Sequence, residues 1–229
     1  MFSEENVTLL TQIIQSDLLG AIWETLYTTF LPTIFAFVIG LPLGVVLVTG
    51  ETGGIRPLPG VIMKVLNFII NILRSVPFLI LVVVVIPLSR FIVGTSVGSI
   101  ALITPLTIAA FPFVARLVET SIREVDQGVV EAAQAMGASP AQIVWKVLIP
   151  EAKPALVSNF ITALITIFGY GAMAGILGGG GIGAMAINYG YYRKKHLVLY
   201  FMVILLIVLV QVFQSIGNVL IRKTDKRIR

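Results

Sequence analysis

Residues 197–221, LVLYFMVILLIVLVQVFQSIGNVLI, form a run of 25 residues between His196 and Arg222 that contains no charged side chain. About 20 apolar residues in a helix cross the hydrocarbon of a bilayer, and a helix satisfies all its backbone polar groups within one segment. The run therefore reads as a membrane span. The whole chain agrees, since 57% of its 229 residues are apolar and 12% are charged, with a mean hydropathy of +1.00. Soluble domains carry about a quarter charged residues, so a water-soluble globule is excluded. The apolar content allows about six spans at most and leaves no material for a second large soluble domain.

Working outward from this run, four more spans are predicted. The 26 uncharged residues between Glu24 and Glu51 form the first, with Pro32 and Pro42 inside it. Residues 67–88 form the second, with Arg74 near one end, where its long stem can reach the interface, and Arg90 to Gly98 as a short loop. The third covers residues 99–117 and contains Pro105 and Pro112, and the fourth covers residues 154–177 and ends at the glycine cluster 178–183. The predicted fold class is all-α, a polytopic helical membrane protein with five transmembrane helices in one domain over residues 1–229. Residues 1–24 read as an amphipathic lead-in, with Leu9, Leu10, Ile13, Ile14, Leu18 and Leu19 at helical spacing. Their only charges are Glu4, Glu5, Asp17 and Glu24, the reverse of a signal peptide's basic start, so this segment is expected to be kept. Residues 51–59, rich in Gly and Pro, are a turn.

Five spans put the termini on opposite sides, and the basic residues choose the orientation. Eleven lie on one side, including Arg56, Lys64, Arg116, Arg123, Lys146, Lys153 and the tail from Arg222; four, Arg90 and Arg193 to Lys195, lie on the other. Positive residues favour the cytoplasm, which predicts the N-terminus outside and the C-terminus with the polar loop at about 118–153 inside. The net charge of +5 then reflects interfacial anchors and lipid contact, not nucleic acid. The chain has no cysteine, which excludes disulfides and thiolate metal sites. His196, the single histidine, sits beside Arg193, Lys194 and Lys195 and reads as interfacial, so no metal site is expected. Gly178, Gly180 and Gly183 fit G-x-G-x-x-G but follow a membrane helix instead of a strand. No phosphate-binding G-x-x-x-x-G-K-[ST] occurs, so this chain binds no ATP of its own and any ATP and Mg belong to a partner. The five predicted spans contain no Asp or Glu, which weighs against an ion-coupled carrier. Gly171, Gly175 and Gly178, near four-residue spacing, predict close helix packing.

The polar loop has its own structure. Residues 125–136 favour a helix, Gly137 falls where a left-handed residue is needed, and Ser139, Pro140 and Gln142 supply an N-cap, an N1 proline and a capping box. A second helix is predicted over residues 140–149, stopped by Pro150. Ala132, Ala133 and Met136 on the first helix, with Ile143, Val144, Val147 and Leu148 on the second, are expected to present an apolar docking surface to another protein.

Glu131-Ala132-Ala133, three residues, Gly137, nine residues, then Val147-Leu148-Ile149-Pro150 resembles the EAA loop of bacterial ABC importer permeases. Trp23-Glu24-Thr25-Leu26, Val38 to Pro42, Arg74 to Phe78, Ile92 to Ser96, Ala135 to Ala138 and Gly169 to Met173 resemble the methionine importer permeases, over about residues 20–221. The resemblance implies a type I importer permease, which is not itself an enzyme. It implies a homodimer in the bacterial cytoplasmic membrane with two cytoplasmic ATP-binding subunits and an extracytoplasmic substrate-binding protein. It makes Glu131, Ala132, Ala133, Met136, Gly137, Ala138, Ser139, Pro140, Ile143 and Pro150 the ATPase-coupling residues. Methionine, L and D, is the implied substrate. Tyr170 and Met173 are candidates for lining the pathway, because a thioether tolerates a sliding apolar ligand, or they are ordinary span residues. Open alternatives are a permease for another amino acid or small nutrient, an ion-coupled carrier, and a scaffold that recruits a soluble partner.

Overall fold

The computed structural model describes residues 4–224 and is all-helical, with no strand among the described residues. α1 (Glu4–Ser16) is followed after one residue by α2 (Leu18–Thr49), and the turn at 51–59 leads to α3 (Gly60–Ser75) and α4 (Phe78–Val93). A 3-10 turn, Ile100–Leu102, opens α5 (Ile103–Arg123); then come α6 (Gln127–Ala135) and α7 (Pro140–Ile143). A π-helical segment, Val144–Leu148, joins α7 to α8 (Ile149–Ala174), and the 3-10 turn Gly175–Leu177 ends it. α9 (Gly181–Met185) runs through a second π segment, Ala186–Tyr192, and α10 (His196–Thr224) completes the chain. Residues 225–229, which hold most of the predicted basic tail, lie outside the described residues.

Among the described residues four stretches are long and apolar enough to cross a membrane, and α3 with α4 makes a fifth if that bent pair is one span. The predicted second span, 67–88, is broken: α3 and α4 meet at 109°. Pro77 has no N–H to continue the ladder and its ring drives Val76 out of the helical region, to φ −78° and ψ 128°. Arg74 thus ends α3 at the break, and α4 continues past Arg90 to Val93, where Gly94 caps it at φ +80°. The first span starts earlier than predicted, at Leu18, so Glu24 lies inside α2. The third extends to Arg123, so Arg116 and Glu119 lie inside α5. The absence of carboxylates from the spans was a product of the predicted boundaries and does not hold. Pro150 does not stop a helix either. The chain is helical from Pro140 to Leu177, because the ladder widens just before the proline: the Ile149 N–H bonds Val144 O, five residues back. This π register absorbs the donor that Pro150 lacks.

The chain divides into two compact units. The first comprises the described residues up to Ile34, Pro77–Ala109 and Leu164–Gln214. In its core Ile13 and Ala21 pack with Ile182, Ala186, Val198 and Met202, while Leu164 and Phe168 pack on Phe213. Phe168 and Phe30 both meet the Phe213 ring edge to face, with centroids 5.8 and 5.5 Å away. The second unit comprises Phe35–Val76, Ala110–Ala163 and the described residues from Ser215. There Leu47, Met63, Ile70 and Ala115 form the core. Gly40 and Gly44, a G-x-x-x-G pair that the sequence reading passed over, let α2 lie against α5: a Cβ on Gly40 would sit 2.7 Å from Val114 Cγ1, and one on Gly44 2.6 Å from Ala115 O.

Of the three glycines predicted to pack, only Gly175 does so, against the Ala184 backbone; Gly171 has open space around it and Gly178 is a left-handed turn residue. Spacing alone selects glycines without saying which face a partner. Replacing Gly44 by Leu is expected to destabilise the purified protein by about 1–3 kcal/mol through overpacking, whereas Gly171→Ala leaves the unfolding midpoint in detergent unchanged. A thermal melt of the two variants checks this, and equal midpoints would refute the assigned crossing.

Candidate functional site

The loop that joins α5 to α8 belongs wholly to the second unit and is built around one corner. Asp126 starts α6, its carboxylate accepting the Gly128 N–H at 2.7 Å. At the other end Gly137 is left-handed at φ +77°, its N–H bonds Gln134 O at 2.9 Å, and the Ala138 N–H bonds Ala133 O at 3.1 Å. These two bonds are the Schellman arrangement, which closes the carbonyls a helix end leaves free. Two residues later the capping box forms in both directions. Gln142 N–H donates to Ser139 Oγ at 3.4 Å, and Ser139 N–H donates to Gln142 Oε1 at 2.8 Å. The chain reverses with its backbone donors and acceptors paired on both sides of Gly137.

Side chains divide sharply between the faces of this corner. Ala133, Ile143 at 1% exposure and Leu148 are buried, so the apolar surface predicted from them is the underside that fixes α6 and α7 to the unit. Glu131, Ala132, Gly137, Ser139, Pro140 and Pro150 are exposed and Ala138 is half-buried. Met136 at 82%, Trp145 at 67% and, further back on α6, Val129 are the large apolar groups left outside. Trp145 was missed in the sequence, where a helix through 140–149 turned attention to Ile143 and Leu148. It lines a groove with Pro140, Ala141 and Val144, whose other wall is Val45, Val46, Ile55 and Leu58. Glu131 and Gln134 border a second cleft beside Gly53, Gly54 and Arg123.

Beneath the corner, α5 ends in an ion-pair cluster. Glu119, largely buried, accepts from Arg116 at 2.6 Å and from Arg123 at 2.9 Å, and Arg123 also binds Glu51 in the turn after α2. Arg116 donates further to Asn67 Oδ1 at 2.7 Å and Asn71 Oδ1 at 3.0 Å on α3. Each guanidinium is shared, which is how α5 carries charge beyond its apolar part without leaving it unpaired. Asn159 of α8 donates to Leu117 O at 3.1 Å and to Ser121 Oγ at 2.7 Å, tying the helix after the loop to the helix before it.

The candidate pathway residues sit apart, in the first unit. Tyr170 stacks flat on Phe78, centroids 4.2 Å apart and 11° from parallel, and is half-buried with Val82, Leu102 and Leu106. Met173 is 44% exposed. One turn beyond, the glycine cluster is gripped by side chains. Gly180 N–H donates to Ser99 Oγ at 2.9 Å, Gly181 N–H to Glu24 Oε2 at 2.7 Å, and Ile182 N–H to Thr25 Oγ1 at 2.9 Å. Glu24 and Ser99 carried no sequence signal for this role, since the partners are 157 and 81 residues apart.

These features are those of a polytopic helical transport component. The family of binding-protein-dependent transport system inner membrane components matches residues 40–229, and the chain belongs to it. It is a membrane subunit of a transport system, not an enzyme. The "Probable D-methionine transport system permease protein MetI" of Vibrio cholerae is 49% identical over 216 residues, covering 93% of this chain and 95% of that protein. The D-methionine transport system permease protein MetI of Escherichia coli K12 is 50% identical over 158 residues, 69% of this chain and 72% of that one. Among solved structures, a chain of the inward-facing MetNI methionine ABC transporter superposes with a TM-score of 0.88 at 43% identity, covering 98% of this chain and 100% of that one. An amino acid ABC transporter with histidines shares the fold at 18% identity and a TM-score of 0.76 over 97% of this chain and 99% of that one.

A side chain at Gly137 meets no atom within 4 Å, so the cost of Gly137→Ala is that of the left-handed backbone alone, about 1–2 kcal/mol. Ser139→Ala removes the cap for about 1 kcal/mol, and Met136→Ala, on an open surface, costs nothing measurable. Amide exchange across 130–143 is expected to quicken in the first two variants and stay unchanged in the third.

Proposed function

We propose that the chain is the permease subunit of an ATP-driven importer that carries methionine, L and D, across the bacterial cytoplasmic membrane. Two copies form the pathway, two cytoplasmic subunits bind and hydrolyse ATP with Mg, and an extracytoplasmic binding protein delivers the substrate. The observation that carries this reading is the corner at Gly137, a preformed helical reversal with Met136 and Trp145 outward and Glu131 at its edge. The substrate follows the names of relatives that match 43–51% of positions. The N-terminus lies outside and the loop inside, a reading supported by the distribution of basic residues.

In this reading Glu131, Ala132, Met136, Gly137, Ala138, Ser139, Pro140 and Pro150 meet a groove of the ATPase, while Ala133 and Ile143 fix the corner from beneath. ATP favours the closed ATPase pair, and because a ligand shifts an equilibrium only by its differential affinity for two states, that preference has to reach the membrane through this contact. A corner closed by its own hydrogen bonds moves as one body, so displacement of the loop becomes displacement of α5 and α8. Met173, an exposed residue, and Tyr170 line the substrate path. A permease for a different amino acid is the second reading, supported by the shared fold of an amino acid transporter.

Uptake of radiolabelled methionine is measured in cells without their own importer, expressing this chain with its neighbouring ATPase and binding protein. Gly137→Glu, which adds both left-handed strain and charge at the contact, is expected to abolish uptake while leaving the protein in the membrane; normal uptake would refute the coupling role. Because the chain has no cysteine, single-cysteine variants report orientation directly. Lys194→Cys should react with an impermeant maleimide added to intact cells and Lys146→Cys only after lysis.

A further inference from the structure

Residues 178–181 are four consecutive glycines, with Gly183 close behind, at the reversal between α8 and α9. Such a segment has maximal conformational freedom and no side chains with which to pack. Gly178 and Gly181 hold left-handed angles of +85° and +86°. Three consecutive amides, Gly180, Gly181 and Ile182, donate to three side-chain oxygens from outside the segment: Ser99 Oγ, Glu24 Oε2 and Thr25 Oγ1. Space is as restricted as direction. A Cβ on Gly180 would collide with the Glu24 carboxylate, and one on Gly181 would come 2.6 Å from Thr25 Oγ1. The glycines are needed because α2 approaches the backbone itself.

On either side of this reversal the two arms close on each other without side chains between them. A Cβ on Gly175 would lie 2.7 Å from Ala184 N, and one on Gly183 2.5 Å from the Ala172 Cα. Met173 is flanked by Ala172 and lies two residues before Gly175. The position of that methionine is therefore set by an arm that a glycine segment holds in place, and the segment by three hydrogen bonds. Of the three acceptors only Glu24 is ionisable, and a carboxylate accepting from an amide makes a shorter, stronger bond than a hydroxyl does. It sits seven residues into an apolar helix of 32, where an uncompensated carboxylate would be costly.

We propose that Glu24 is a positioning residue for transport: its carboxylate pins the 178–183 reversal to α2 and so fixes the end of α8 that carries Tyr170 and Met173. The role in transport rests on the reading given above; the pin itself does not. Releasing the pin leaves α2, α8 and α10 helical but lets the glycine segment exchange among many conformations, which lowers the fraction of carriers with a formed pathway. The effect falls on the maximal rate, because substrate capture belongs to another protein.

The test uses the permease assembled with its ATPase in lipid nanodiscs, and the same variants in cells. In Glu24→Ala, hydrogen exchange of a peptide spanning 178–185 is expected to quicken about tenfold, with the peptide around Gly137 unchanged. Methionine uptake is expected to lose about tenfold in maximal rate at an unchanged half-saturating concentration. Glu24→Gln, whose amide oxygen still accepts from Gly181, should recover at least half of both. Thr25→Val, of the same shape, removes the Ile182 acceptor together with the hydroxyl's own bond to Ala21 O within α2, leaves the Glu24 bond in place and gives a smaller rise in exchange, so the pin stays testable if Glu24→Ala fails to assemble. Unchanged exchange in Glu24→Ala would overturn the pin. Faster exchange with a normal maximal rate would overturn its part in transport, and so would a Gln variant as impaired as Ala. Wild-type complex that takes up no methionine would count against the transport reading, and the exchange result would still decide the pin.

Discussion

In hydrocarbon no water completes an unpaired N–H or C=O, and the departures of this chain from a simple row of spans follow from that constraint. The helix breaks at Val76 because Pro77 has no donor and its neighbour cannot stay helical. It does not break at Pro150, because one π turn ahead of the proline shifts the ladder by a residue. Along α2, the hydroxyls of Thr25, Thr28, Thr29 and Thr33 are buried, yet each donates to a carbonyl four residues back at 2.7–2.8 Å. A polar residue is thereby carried inside an apolar helix with its hydrogen bond satisfied locally.

Charge obeys the same rule at higher cost. Arg116, Glu119 and Arg123 extend α5 into a stretch that hydropathy reads as loop, and they do so because Glu119 serves two guanidiniums and Arg116 also finds Asn67 and Asn71. Removing Glu119 would leave Arg116 with only the amide oxygens of Asn67 and Asn71, and Arg123 with only Glu51. Glu24 is the counterpart in the first unit, with backbone amide in place of arginine.

What could be read from the sequence divides along the distance between partners. The 25-residue uncharged run, the turn at 51–59, the left-handed Gly137 and the capping box of Ser139 and Gln142 are local, set by residues within one or two turns, and the structure contains them all. The all-helical membrane class followed from composition and the family from a spaced motif at 131–150, and the family's model matches residues 40–229. Contacts across long separations were illegible. Nothing near Glu24 indicates Gly181, 157 residues on. The burial of Ala133 and Ile143 depends on what lies beneath the corner, and helical periodicity gives a face without saying which way it turns. Span ends differ from the prediction for a related reason: in hydropathy a charge marks a boundary, whereas a paired charge continues a helix.

The two reversals of the chain solve opposite problems. At Gly137 a single left-handed glycine stands between two capped helix ends, and the bonds that close the corner are made within residues 133–142. Such a turn keeps its shape when its surroundings move, because nothing distant is needed to hold it. At 178–183 four of the glycines are consecutive, three successive amides find their acceptors on side chains outside the segment, and its shape is imposed by Ser99, Glu24 and Thr25. A turn held from outside changes when those side chains move with their helices. Force is best passed through the first kind and a passage best opened or shut by the second, and in this chain the residues proposed for coupling fall on the self-contained turn while the pathway candidates precede the dependent one.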